Sequence, residues 1–211
     1  MKITIIYDNT TTREDLVADW GFACLVEAHG RRILFDTGAK GFILLDNMQR
    51  LGIEVSIIEE VFISHDHWDH TGGLADLLAI HPVPVHLPST MSEAIGAKES
   101  HRVCGPTEIH EGIFSTGTLE GIEQSLAVRT EKGIVVIVGC SHPGVERILE
   151  AAAGFGRPYA LIGGLHGFDR FEAVKDLEII CPTHCTQHAK EIAGLYPEKF
   201  LAGGAGRVLE V

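Results

Sequence analysis

The stretch Ser64-His65-Asp66-His67-Trp68-Asp69-His70 places three imidazoles and a carboxylate able to hold metal within six consecutive residues, a density that packing does not require. An apolar run, Val61-Phe62-Ile63, precedes it and reads as a buried strand, and Thr71-Gly72-Gly73-Leu74 follows as a turn into a helix. The ligands therefore belong on a loop at a strand end. Residues two apart in extended chain project to one side, so His65 and His67 can share one ion while Asp69 and His70, past the bend, reach a second. A surface loop merely rich in histidine has no need of that order, and the pattern points to a two-metal hydrolytic site.

At 211 residues the chain can bury a substantial core, and one domain over residues 1–211 is the expectation. Its longest apolar runs, such as Ile134 to Val138, are far too short to span a membrane. The opening Met1 to Tyr7 meets Asp8 and Asn9 before any cleavage-like site and reads as a first strand rather than a signal peptide, so a cytoplasmic protein is expected. Five scattered cysteines, an odd number without an export signal, fit reduced thiols better than a disulfide framework. A formal charge of −12 argues against binding long nucleic acids. It leaves room for a small anionic substrate, because bound cations would dominate the field inside a pocket. The oligomeric state is not legible.

Strands are expected over 2–7, 22–28, 32–35, 61–63, 83–87, 113–116, 125–130, 133–139, 159–162, 178–181, 199–201 and 207–211. Helices are expected over 41–51, 74–80, 89–98, 145–153, 171–177 and 189–195, with 99–111 a loop near the pocket mouth. The run Gly133 to Gly139 is uniformly β-branched and so buried on both faces, which demands helices outside and another sheet inside. The fold class is α/β (α+β): a four-layer αβ/βα sandwich of two mixed sheets packed face to face with helices outside.

Later strands also end in residues that chemistry would use. Gly139-Cys140-Ser141-His142-Pro143-Gly144 puts His142 where a third ligand would complete His65 and His67, with Cys140 read first as a small buried strand-end residue and second as a thiolate ligand or nucleophile. Thr183-His184-Cys185-Thr186 offers His184 to the ion of Asp69 and His70; the other reading is a helix-capping turn on Thr183 or Thr186. Gly163-Gly164-Leu165-His166 lets backbone approach a ligand closely, and His166 is open as ligand, general acid or base, or substrate contact. Asp36 in Asp-Thr-Gly suits a carboxylate behind a ligating imidazole, or ordinary turn chemistry. Asp8 and Asn9 line the rim or make an Asx turn. Cys181 and Cys185 invite a soft-metal reading with Cys140, but zinc knuckles built on cysteine pairs do not usually carry an intervening Pro-Thr-His.

These motifs resemble the metallo-β-lactamase superfamily, whose HxHxDH stands intact at 65–70. With Tyr7-Asp8-Asn9, Leu34 to Gly38, Glu123 to Leu126 and Lys132-Gly133 they resemble its branch named for dihydropterin ribofuranosylaminobenzene phosphate synthases. The resemblance implies that His142 and His184 complete the two sites, and a role in pterin-like or folate-like cofactor metabolism. Most superfamily members carry a bridging aspartate at the strand end where this chain has Gly163-Gly164-Leu165-His166; Asp169 is a weaker substitute. The segment between Leu87 and Gly112 is shorter than in typical branch members, and Gln187 stands where they more often have glycine.

The expected chemistry is metal-assisted hydrolysis or phosphate-ester transfer on a small molecule, with one or two divalent ions lowering the pKa of water to about 7. Asp69 orients the water and His166 protonates the leaving group. Zinc suits this His/Asp set first, and iron or manganese also fit. The rival expectations are an iron-dependent redox or oxygen-handling enzyme and a non-catalytic protein braced by metal.

Overall fold

A computed structural model describes residues 1–211. The chain opens as an antiparallel meander of β1 (Lys2–Tyr7), β2 (Ala23–Ala28) and β3 (Arg31–Phe35). His29 and Gly30 both take positive φ in the two-residue turn between β2 and β3, as the twist of a tight hairpin requires. Then come α1 (Gly41–Arg50), β4 (Glu60–Phe62), the one-turn α2 (Trp68–Thr71), α3 (Leu74–Ile80), β5 (Val85–Pro88) and β6 (Ser100–Val103). The second half holds β7 (Thr107–His110), β8 (Ile113–Ser115), β9 (Leu126–Thr130), β10 (Gly133–Val138) and α4 (Val145–Ala153), followed by β11 (Pro158–Gly164), β12 (Ile179–Thr183), α5 (Ala189–Leu195) and β13 (Val208–Glu210).

The strands form two mixed sheets, ordered β13-β1-β2-β3-β4-β5-β6 and β12-β11-β10-β9-β8-β7. Strand alternation sorts the apolar residues into three layers of core. Ile3, Ile5, Phe35 and Phe62 of the first sheet meet Val128, Val135, Ile137 and Ile162 of the second between the sheets. Leu34 and Val61 face outward onto Leu44, Met48 and Leu77 of α1 and α3, while Ile134, Val136 and Val138 face α4. Helix α4 buries Val145, Ile148, Leu149 and Ala152, an i, i+3, i+4, i+7 stripe, and each large side chain contributes roughly 1.5–3 kcal/mol. The four-layer αβ/βα sandwich is the architecture observed. No helix is long and apolar enough to cross a membrane.

The topology also collects strand ends. β1, β3 and β4 run in one direction, since β2 is antiparallel to its neighbours and β3 is parallel to β4, so their C-terminal ends share an edge. β10, β11 and β12 are mutually parallel and do the same in the other sheet.

Four expectations need correction. Residues 89–98 form turns rather than a helix: Gly96 takes φ +89°, and Met91, Ala94 and Ala97 settle half-buried on the outer core without a helical stripe. Residues 99–111 are no mouth loop but hold β6 and β7, the edge strands where the chain crosses between sheets; edge exposure erased the alternation that marks a strand. Residues 199–201 contribute one isolated bridge, Ile180 to Phe200, and residues 171–177 begin with a 3-10 turn, Phe171–Val174, in place of an α-helix.

Candidate metal centre

The loop after β4 is built on Asp36 at the end of β3. This carboxylate is fully buried and accepts hydrogen bonds from Ser64 N, Ser64 Oγ and His70 Nδ1, each at 2.7 Å. A carboxylate only accepts, so His70 carries its proton on Nδ1 and presents a lone pair on Nε2. Ser64 gives its single hydroxyl proton to Asp36, so His65 Nδ1, 2.9 Å away, donates to Ser64 Oγ and its Nε2 is likewise a lone pair. That Nε2 lies 3.0 Å from His67 Nδ1, close to the ~3.3 Å expected of two donors on one tetrahedral ion.

The second sheet supplies its histidines from the ends of β10 and β12. Glu123, fully buried, gathers the strand end after β10: its Oε1 accepts from Gly139, Cys140 and Ser141 N–H and its Oε2 from His142 N–H. Gly139 is required there, because a Cβ would meet Ser64 Oγ at 2.2 Å and His65 Nδ1 at 3.0 Å. After β12, Asp8 Oδ1 accepts the His184 N–H at 2.8 Å, and Asn9 Oδ1 lies 3.0 Å from His184 Nδ1. Gly21 N–H also donates to Asn9 Oδ1, which identifies that atom as the acceptor and leaves a third lone pair, on His184 Nε2. Four of these strand ends turn through a non-glycine residue in the left-handed region: Asp36 (φ 54°), Ser141 (61°), His166 (45°) and His184 (47°). Each costs about 1–3 kcal/mol and persists only because the surroundings over-determine it, a pattern found at functional sites.

The rings converge. Centroids of His65 lie 4.5, 4.2 and 4.8 Å from those of His67, His70 and His142, and His70 lies 5.0 Å from His184. Two donor triads result, His65/Cys140/His142 and His70/Cys140/His184, each with its atoms within 4.8 Å of one another, and Cys140 belongs to both. Cys140 Sγ is 3.2 Å from His70 Nε2 and 3.3 Å from Cys185 Sγ. Asp69 accepts from Trp20 Nε1 at 2.8 Å and its Oδ2 lies 3.2 Å from His184 Nε2, off the line of a good hydrogen bond. Both His142 Nε2 and His184 Nε2 are buried without a partner.

Electrostatics follow from that crowding. Burial and then the neighbouring imidazoles drive His65 well below the usual histidine range and His142 to about 4; burial lowers His184 despite Asp69. Burial also disfavours charge on His70, but Asp36 outweighs it and raises the ring. For Asp69, burial is outweighed by His184 and His70, and the carboxyl falls well below its usual range. The shared hydrogen bond lowers the Cys185 thiol and raises Cys140. The buried, orphaned Nε2 atoms of His142 and His184 cost free energy, and a cation among these inward-facing nitrogens satisfies them, so the residues present fit a metal.

The geometry brings His65, His67, Asp69, His70, His142 and His184 to one place. Asp36 lies directly behind His70 and Ser64; Asp8 and Asn9 hold His184; Thr186 Oγ1 accepts the Leu165 N–H and so braces the end of β11. His166 is exposed, its ring 5.3 Å from that of His142, on a cleft of ≈ 310 Å³ that also includes Asp169 and Arg170. It belongs to neither triad, and neither does Asp169. Cys140 is indeed a small buried strand-end residue, yet it also stands between the triads, which the sequence reading ranked second. Trp20 and Glu123 carry no role in the sequence analysis: Glu123 enters only within the segment Glu123 to Leu126 of the resemblance, and neither residue has a ligand spacing to mark it.

Comparison with known proteins agrees with this picture. The sequence model of the metallo-beta-lactamase superfamily matches residues 21–103. The chain is similar to the 7,8-dihydropterin-6-methyl-4-(beta-D-ribofuranosyl)-aminobenzene-5'-phosphate synthase of Methanocaldococcus jannaschii, at 28% identity over 85% of this chain and 83% of that protein. An uncharacterized protein of the same organism is 24% identical over 99% of this chain and 100% of its own length. The crystal structure of a metal-dependent hydrolase of the beta-lactamase superfamily superposes with a TM-score of 0.82 at 28% identity, covering 100% of this chain and 99% of that one.

Proposed function

From a chain that belongs to the metallo-β-lactamase superfamily, we propose a metal-dependent hydrolase or phosphate-ester transferase, one domain over residues 1–211, acting on a small anionic molecule. The observation that carries this reading is the pair of donor triads meeting at Cys140, with imidazole tautomers fixed so that Nε2 lone pairs face inward. His65, His67 and His142 hold one divalent ion, and Asp69, His70 and His184 a second. Cys140, the donor common to both, stands where no carboxylate does. Zinc suits a set of imidazole, carboxylate and thiolate, with iron or manganese as competitors.

Divalent ions in this cradle supply Lewis acidity, which polarises an ester or acyl oxygen and makes water nucleophilic near neutral pH. The chain's own residues do the rest. Asp69, anchored by Trp20, orients the attacking water as an acceptor. His166, exposed on the cleft beside His142, delivers a proton to the leaving group. The cleft volume of ≈ 310 Å³ suits a small ligand, and an anionic one would draw Arg170 on its wall away from Glu146, 3.4 Å from it. The similarity to the M. jannaschii synthase supports a pterin-type phosphate ester as the substrate class to try first.

The test is turnover of generic phosphodiester, thioester and lactone substrates by protein loaded anaerobically with zinc, manganese or iron, with His142→Ala and His166→Ala alongside. Activity that needs metal, vanishes in His142→Ala and falls about 10²–10⁴-fold in His166→Ala supports the reading. Metal-replete protein inert to every class, with chelation only lowering its melting temperature, would make it a metal-braced binding protein instead.

A further inference from the structure

A second cluster of ligand-type side chains lies on the inner face of the first sheet, away from the centre above. Register places Phe35, Phe62, His86 and His101 side by side on β3, β4, β5 and β6. Their rings form a ladder with centroid spacings of 5.5, 6.3 and 5.2 Å. The ladder starts in the apolar core and ends in imidazoles. Glu60, two residues before Phe62 on β4, shares that face by strand alternation. Its Oε2 lies 2.6 Å from His86 Nε2, and its Oε1 2.6 Å from Nε2 of His110, which reaches across from β7 of the other sheet. The cluster shares no residue with the two triads of the histidine centre.

We propose that Glu60, His86 and His110 form a second divalent-metal site that takes a zinc-class ion and ties the open edges of the two sheets together. Three protein donors, two imidazoles and a carboxylate from three strands, have their ligand atoms within 4.8 Å of one another. The imidazole and carboxylate set selects zinc, nickel or manganese over a soft monovalent ion. The 2.6 Å separations are those of shared protons. Donors on one ion stand ~3.3 Å apart, so each contact opens by about 0.7 Å as the ion enters. The proton that each ring shares with Glu60 then moves to the ring's other nitrogen or to solvent.

His86 turns its Nε2 to Glu60 and keeps Nδ1 on the other side of the ring, where it can take the displaced proton. One observation beyond the cluster itself points to a ligand. A cleft of ≈ 630 Å³ opens onto all three residues, giving an ion a path in. His101, whose ring neighbours His86, lines the same cleft and is the nearest candidate for a fourth donor.

Isothermal titration with zinc chloride, on the metal-free full chain, compares the wild type with Glu60→Gln and His110→Ala. The expected result is one zinc equivalent fewer per chain in each variant, while Co²⁺ bound at the histidine centre keeps the same visible spectrum in all three. An anomalous difference peak among Glu60, His86 and His110 in zinc-soaked crystals is the matching expectation. Equal stoichiometry in the wild type and both variants, with circular dichroism showing them folded, overturns the proposal. Should Glu60→Gln fail to fold, His110→Ala and His86→Ala carry the same comparison.

Discussion

Asp36 shows how much a single side chain can organise without touching substrate. Three donors converge on it from one loop, and through His70 Nδ1 it fixes which nitrogen faces the centre. Asp36→Asn keeps the shape but removes the charge and turns one acceptor into a donor. Carboxylates behind metal-bound imidazoles are commonly worth 10–100-fold in affinity, so zinc affinity measured by competition with a chromophoric chelator is expected to fall within that range. An unchanged affinity would return Asp36 to the ordinary turn role that Asp-Thr-Gly equally suggested. Cys140 offers a sharper readout. A coordinating thiol is deprotonated outright, so Co²⁺-substituted protein is expected to show a near-ultraviolet sulfur-to-cobalt charge-transfer band that Cys140→Ala loses. Cys185→Ala, which removes the 3.3 Å neighbour and not the donor shared by both triads, is expected to keep it. A band that survives in Cys140→Ala would move the thiolate ligand to Cys185, 3.3 Å away, and a wild type without the band would leave the histidines and Asp69 as the whole donor set.

At the scale of elements, the centre depends on how closely the end of β10 approaches the loop after β4. Gly139 sets that distance. In Gly139→Ala the new Cβ is driven into Ser64, which cannot turn away while it donates to Asp36. A loss of about 1–3 kcal/mol by thermal or urea unfolding is expected from such overpacking, together with weaker zinc binding as His65 and His142 are pushed apart. The same elements explain what was legible beforehand. The histidines stood out because each follows an apolar run, and β10 announced itself because strands buried on both faces read as unbroken apolar segments. Edge strands carry no such mark: in β6 and β7 only Val103 is buried, so their sequences look like loop. The cluster of Glu60, His86 and His110 was illegible for a related reason. Its residues lie far apart in sequence and meet only through strand register and the closing of one sheet on the other, which no local spacing encodes.

For the molecule as a whole, the histidine centre is a bridge: His65, His67 and His70 come from the first sheet's edge, and His142 and His184 from the second's. Without metal, that bridge is a liability that grows in acid. His142 folds with a pKa of about 4 against 6.5 unfolded, and His65 is depressed as well. The unfolded chain therefore binds more protons below pH 6.5, and stability present above that pH is lost as the pH falls through about 4. Asp8 has the opposite sign. Burial raises it to about 6, so the folded state holds its proton between about 4 and 6 and partly offsets the histidines; Asp8→Asn should steepen the acid loss measured by thermal melts of chelated protein. Metal reverses the balance by mass action. Free zinc at a hundred times its Kd adds about 2.7 kcal/mol to the folded state, and a chain of this length gains about 2–4 °C per kcal/mol, so Tm should rise by roughly 5–11 °C. The measurement belongs in a His110→Ala background, where the shift reports on the histidine centre alone. It is expected to grow with the logarithm of zinc concentration, to shrink when His142→Ala is added, and to disappear when His184→Ala joins it. A Tm indifferent to zinc there would mean that the two sheets are held by their apolar core alone and that the convergence of imidazoles binds nothing.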